Sequence, residues 1–158
     1  VNRAEFVKIV VASVLNYDPG QDSSGFDIYS LSQLSFSDIR SGEWYVPYLR
    51  KAVQNNLIDG YPDGTFKPSN TINLVEASKI LVNAFQINIS DCGTSVWYQP
   101  FIEVLQERSF IPSTLKSFSQ NLKRGEMAEF TWRIMGEVSN QPFTQFKFEE
   151  DLEGECEI

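Results

Sequence analysis

Gly60-Tyr61-Pro62-Asp63-Gly64-Thr65-Phe66-Lys67-Pro68 places two glycines and two prolines within nine residues, and a few positions later Asn73 opens the segment NLVEASKILVNAF. Asp63-Gly64 supplies a turn with positive φ, Pro62 and Pro68 fix φ on either side, and Phe66 is an apolar pin for a core. The stretch reads as a rigid turn, and as an arm that delivers the helix beginning at Asn73. Such a turn matters most in a repeated design, whose signature is self-similarity along the chain.

Two patterns recur. Trp44-Tyr45-Val46-Pro47-Tyr48-Leu49 and Trp97-Tyr98-Gln99-Pro100-Phe101-Ile102 are one hexad, WYxP[YF][LI], 53 residues apart. A second hexad occurs three times, as Val1-Asn2-Arg3-Ala4-Glu5-Phe6, Ile72-Asn73-Leu74-Val75-Glu76-Ala77 and Leu122-Lys123-Arg124-Gly125-Glu126-Met127. Each reads as a helix start. Asn2 and Asn73 are N-caps with Glu5 and Glu76 at capping-box spacing, while in the third start Lys123 replaces the cap ahead of Glu126. Downstream, Phe6, Ile9, Val10 and Val14 correspond to Ala77, Ile80, Leu81 and Phe85, and to Met127, Phe130, Thr131 and Met135, one apolar stripe at helical period. Pro47 and Pro100 suit the first turn of further helices. The repeat is therefore helix, loop, helix, of about 50 residues, and a lone pair of that size cannot bury its stripe.

The totals exclude several classes. The chain has 158 residues, 42% of them apolar, and no apolar run approaches the roughly 20 needed to cross a bilayer. Of the net charge of −8, Lys147 and the six acidic residues from Glu149 to Glu157 together carry −5. With a sequence pI near 4.5, no basic face for nucleic acid is expected. There is no histidine, which removes Ser-His-Asp and Cys-His catalysis and histidine metal sites. Asp18 to Asp27 offers oxygen ligands at uneven spacing with no closing glutamate, and reads as a polar loop rather than a calcium site. No metal and no cofactor are expected.

These residues resemble the S-layer homology (SLH) family. Residues 36–76 carry the family pattern in order: Phe36-Ser37-Asp38-Ile39, Trp44, Leu57-Ile58-Asp59-Gly60-Tyr61 through Pro68, then Ile72 to Glu76. The resemblance covers roughly residues 1–15 and 36–136. It implies an all-α fold, a pseudo-threefold helical spindle of helix-loop-helix repeats. The boundaries expected are 1–15 as the second helix of a first copy, 16–35 as a polar connecting loop, 36–88 as a second copy, 89–138 as a third, and 139–158 as an acidic tail. It implies further a non-catalytic module on the outside of a bacterial cell, fixed to the wall or S-layer. The ligand implied is a secondary cell-wall polysaccharide or other peptidoglycan-linked glycan, commonly pyruvylated, held in grooves between copies. An export signal and the rest of the first copy are expected upstream.

The binding set implied is Arg3 and Arg124 for the anion, Trp44 and Trp97 as faces for sugar rings, and Asp38, Gly60 and Tyr61. Pro62, Asp63, Gly64 and Phe66 form the structural turn. Physical reasoning adds that helix N-termini attract carboxylates and that arginine offers a bidentate partner. Other readings stand beside these. Trp44 and Trp97 also suit core anchors, Arg3 and Arg124 structural salt bridges, and Glu5, Glu76 and Glu126 helix caps. Two departures from the family pattern limit the working grooves to two or fewer: Leu74 stands where the family has arginine, and Ile111 to Phe118 lack the GYPDGTF turn. Those departures favour a second reading, a module for protein–protein contact or assembly with other S-layer subunits. A third, a glycosidase using paired carboxylates, needs an acid of raised pKa in a deep cleft, and no spacing points to one.

Export also implies an oxidising setting. Cys92 and Cys156 are the only cysteines, and a bridge between them is expected. It would close a loop of about 65 residues and contribute roughly 4 kcal/mol in the chain-entropy account. Phe143 to Phe148 alternates apolar and polar residues, as an extended clamp leading the tail back along the body would.

Overall fold

Caps set where the helices begin. Asn2 Oδ1 accepts the Glu5 amide at 2.8 Å while the Glu5 carboxylate takes the Asn2 amide at 3.1 Å, and Asn73 and Glu76 repeat the pair at 3.0 and 3.2 Å. Lys123 has no acceptor to offer, so only half of the box survives, the Lys123 amide donating to Glu126 at 2.8 Å. The computed structural model describes residues 1–24, 27–31, 33–90 and 96–148. Among these lie α1 (Arg3–Val14), α2 (Val46–Gln54), α3 (Leu74–Ala84), α4 (Gln99–Glu107), α5 (Arg124–Met135) and one 3₁₀ turn, Pro19–Gln21. α2 and α4 start without a side-chain cap and carry proline in the first turn, where a missing N–H costs nothing. The described residues form isolated β-bridges and no strand, and the fold is all-α. No described helix is long and apolar enough to cross a membrane.

Each of the five described α-helices is followed by a residue in the left-handed region: Asn16 (φ 49°), Asn56 (56°), Gln86 (52°), Ser109 (60°) and Glu137 (50°). Beyond four of them the next amide reaches back to close the end, Leu57 to Ala52, Ile87 to Val82, Phe110 to Leu105 and Val138 to Arg133, at 2.9 to 3.0 Å. None of these positions is glycine, and a Cβ there costs roughly 1 kcal/mol. Gln86→Gly is therefore expected to stabilise the protein by about 1 kcal/mol, seen as a rise in Tm of a few degrees. An unchanged or lower Tm would contradict it.

The chain divides into two compact units, Val1–Ile72 and Asn73–Ile158. The cut falls inside the 36–88 segment. In the first unit α1 packs on α2, and Phe6, Val10, Val46, Leu49, Ala52, Phe66 and Ile72 are buried together. The backbone ties the turn segment to α1: the Arg3 amide donates to Asn70 O at 2.9 Å, the Ala4 amide to Pro68 O at 3.1 Å, and Ile72 N to Val1 O at 3.2 Å. The turn thus serves the start of the helix before it in sequence. The sequence by itself points the turn at the helix after it, because the two are adjacent along the chain.

The second unit repeats the device. α3 packs on α4, the Leu74 amide donates to Gln120 O at 2.9 Å, and Asn73 bridges to Asn121. The loop here holds its shape through the Gln120 side chain, which accepts the Lys116 amide at 2.7 Å and donates to Thr114 O at 3.0 Å. Residues 143–148, after α5, lie extended along the same unit. Thr144 N donates to Ile111 O at 3.1 Å, Phe146 N to the Gln106 side chain at 2.9 Å, and Phe118 meets the rings of Phe146 and Phe148 at 4.5 and 5.4 Å. The apolar stripe of α5 differs from the expected one at its end. Ile134 turns inward and Met135 is 56% exposed, because Met127, Phe130 and Ile134 follow the i, i+3, i+7 line and Met135 lies about 100° beyond it. Cys92 and Cys156, and the acidic residues from 149 onward, lie outside the described residues.

Candidate functional site

The turn is braced from several directions. Gly60 and Gly64 take φ of 79° and 76°, Tyr61 N donates to Thr65 O at 2.8 Å, and Gly64 N returns to Tyr61 O at 3.0 Å. Asp63 accepts the Thr65 amide at 3.0 Å and pairs with Lys67 at 3.0 Å. The Thr65 hydroxyl and then Lys67 hold the Asp63 carboxyl below the usual range. Asp38, 28 residues upstream of Phe66, accepts the amides of Phe66 and Lys67 at 2.8 and 2.7 Å. One carboxylate oxygen goes to each amide, so Asp38 fixes the far limb of the turn.

Arg3 enters this frame from the first turn of α1. Only 5% of it is exposed. Its Nε donates to Phe66 O at 2.8 Å, and its guanidinium lies 4.6 Å from the Tyr61 ring centre and 4.9 Å from that of Phe66. Lys67 Nζ is 4.1 Å from the centre of the Tyr61 ring. A planar cation is thus pinned between two aromatic rings and a carbonyl in a partly dry place, an arrangement that favours a carboxylate or sulfate-like oxyanion.

The helix end itself contributes less than the sequence reading expects. At α1 the Arg3 and Ala4 amides go to Asn70 and Pro68 carbonyls, and the Glu5 amide goes to Asn2. With these amides taken, the capacity for an anion at this helix start lies in the arginine side chain and not in the backbone N–H groups. Gly60, expected in the binding set, has a backbone role: a Cβ on it would stand 2.3 Å from Phe36 Cε1.

Trp44 and Trp97 are not core anchors. They are 46% and 55% exposed, and each stands edge-on to the tyrosine after it, at 5.4 and 5.5 Å. In the first unit it is Tyr45 that is buried, so the adjacent ring takes the anchoring part. Lys8 Nζ stands 5.4 Å from the centre of the Trp44 ring. Trp97 and Arg124 belong to the second unit, where Arg124 is an exposed first residue of α5. The structure therefore gathers Arg3, Tyr61, Phe66, Asp38, Gly60 and Asp63 at one place. Lys67 belongs to that place as well and was missed. Its position within GYPDGTFKP and its spacing of four from Asp63 were the available signal.

Among the described residues at the start of α3, the second unit lacks this cradle. The position of Arg3 is taken by fully buried Leu74, and the loop that docks on that helix start has Leu115 in the core and no counterpart of Tyr61. The two sequence departures, one in each of two nominal copies, thus fall on a single structural position. An apolar side chain replaces the arginine where its aromatic partners are gone.

The family profile described as "S-layer homology domain" matches residues 35–77. Residues 35–77 are an S-layer homology domain. Its place is the bacterial cell surface. The matched residues contain Asp38, Trp44, the braced turn and the Asn73–Glu76 cap, and they run across the cut between the two compact units. Among curated proteins the chain is similar to the "Cellulosome-anchoring protein" of Acetivibrio thermocellus, 27% identical over 122 residues that cover 70% of this chain and 26% of that protein. It is also similar to the "Surface layer protein" of Brevibacillus choshinensis, 28% identical over 97 residues, 61% of this chain and 8% of that protein. A third relative is the "Middle cell wall protein" of Brevibacillus brevis, 28% identical over 109 residues, 68% of this chain and 9% of that protein. The chain spans about a quarter of the first relative's length and under a tenth of the other two.

Proposed function

We propose that this chain is a non-catalytic anchoring module that holds an anionic, pyruvylated secondary cell-wall polysaccharide, with Arg3 as the residue that meets the carboxylate. The observation that carries the reading is the Arg3 cradle: a guanidinium fixed by Tyr61, Phe66 and the Phe66 carbonyl loses little freedom when an anion docks. Lys67 adds positive charge at the same ring, and exposed Trp44 and Trp97 offer faces to sugar rings elsewhere on the surface.

Retention on purified cell-wall sacculi, before and after chemical removal of the polymer, tests it. Arg3→Lys keeps the charge and loses the planar fork, and is expected to lower retention about 10- to 100-fold while the far-UV spectrum stays helical. Arg124→Ala, added to it, is expected to lower retention further. Unchanged retention by folded Arg3→Lys, or equal retention on stripped sacculi, would sink the polysaccharide reading. Release of reducing sugar from the polymer would replace it with an enzymatic one.

A second reading, contact with other S-layer subunits, is favoured by one observation in the second unit. There the cradle is absent, and Trp132 and Met135 stand exposed on α5. Self-association in sedimentation that is abolished by Trp132→Ala would support it.

A further inference from the structure

Tyr17, Asp22, Ser24 and Gln33, from the stretch read in the sequence as a plain polar loop, form a cavity of about 450 Å³ with one side of α2 in the first unit. That size lies within the range of small-molecule sites, but the walls differ from the usual apolar kind. Tyr17, Asp22, Gln33, Arg50, Lys51 and Gln54 line it. Tyr17 Oη donates to Asp22 at 3.1 Å, and the Tyr17 ring is set edge-on to Tyr48 at 6.0 Å, which fixes its plane. Arg50 is 7% exposed and reaches Asp27 O at 3.3 Å, so the rear wall is a buried cation tied to the loop. The Gln54 amide donates to the Gln33 side chain across the opening.

We propose that this cavity is a carbohydrate site separate from Arg3, taking one or two uncharged sugar rings. Sugar hydroxyls donate and accept at once, and the lining supplies both capacities: Asp22 and Gln33 as acceptors, Arg50, Lys51 and Gln54 as donors. Tyr17 supplies a ring of fixed orientation for the C–H side of a pyranose, with Lys51 Nζ 5.5 Å from its centre as a donor beside it. An apolar ligand would strand most of these groups. Asp22, which accepts the Ser24 amide at 3.1 Å, shares the lining with Arg50 and Lys51, so charges of both signs already stand in the cavity and an uncharged ligand leaves them paired with each other. The site is carried by residues of the first unit alone and does not depend on the Arg3 reading.

Amide chemical-shift titration of the whole chain with N-acetylglucosamine, galactose and glucuronate, each to tens of millimolar, tests the proposal. Saturable shifts are expected with one of the neutral sugars, confined to residues 17–24, 33 and 47–54. Tyr17→Ala is expected to weaken that binding about tenfold. Gln54→Trp, at an exposed position on the rim, is expected to abolish it by filling the space, and Arg3→Lys to leave it unchanged. Three results would overturn the site: no saturable shifts from either neutral sugar, shifts centred on Tyr61 and Phe66 instead, or full binding by Gln54→Trp. Binding of glucuronate alone would overturn the assignment to an uncharged ligand.

Discussion

Gly60→Ala is expected to destabilise the protein by about 3 kcal/mol, whereas Gly64→Ala, four residues along the same turn, is expected to cost only about 1 kcal/mol. Both glycines have positive φ, 79° and 76°, so each alanine bears the same backbone penalty. The surroundings differ. A Cβ at Gly64 meets nothing within 4 Å, while one at Gly60 stands 2.3 Å from Phe36 Cε1 and 2.9 Å from the Thr65 carbonyl. The ring can swing aside, but the carbonyl is held by the Tyr61 amide at 2.8 Å and cannot. Shifting that bond displaces Tyr61, and with it one wall of the Arg3 cradle, so retention on sacculi should fall along with stability. Denaturant unfolding of both variants, and of Gly60→Ala combined with Phe36→Ala, measures the parts. The double variant should recover the share due to the ring and leave the share due to Thr65 O. Equal cost at the two glycines would show that steric crowding at Gly60 plays no part.

Helix starts were legible in the sequence because a cap and its glutamate lie three residues apart, and the physics of that contact is local. Asn2, Asn73 and Lys123 are indeed the residues preceding α1, α3 and α5. The destination of the turn was not legible. Its decisive contact, Arg3 Nε to Phe66 O, joins residues 63 apart, and nothing near Gly60 says whether the turn serves the helix behind it or the one ahead. The same distance hid the meaning of Leu74. Read along the chain, a lost arginine and a lost turn look like faults in two copies; read through the Leu74 to Gln120 hydrogen bond they are one change. Trp44 and Tyr45 show a different limit. Both are large and aromatic, and burial falls to the one whose Cβ the start of α2 turns inward, which composition does not reveal.

Arg133 was invisible for a related reason, since a lone arginine on a helix reads as a solvated charge, and its replacement is expected to have the other large effect. It is 2% exposed. Nε donates to Glu129 at 3.1 Å, Nη1 to Ser109 O at 3.2 Å, and Nη2 to Pro142 O at 2.9 Å. Ser109 is the left-handed residue that ends α4, and Pro142 begins the extended segment that pairs with Ile111, so one side chain ties α5 to both. Glu129 is partly exposed and can be rehydrated when the arginine goes, which limits the ion pair to a small share. The two carbonyls are the larger share, because each loses a charged donor in a buried setting at about 1 to 3 kcal/mol. Arg133→Ala is therefore expected to cost about 4 kcal/mol, and Arg133→Met, which keeps the volume but no donor, about 2 to 3 kcal/mol. Hydrogen exchange locates the effect: in either variant the amides of Thr144 and Phe146, bonded to Ile111 O and to Gln106, should exchange faster than those of α3. If Arg133→Met is as stable as the native chain and Thr144 and Phe146 keep their protection, the guanidinium is not the tie, and the ring contacts of Phe118 with Phe146 and Phe148 hold the segment by themselves.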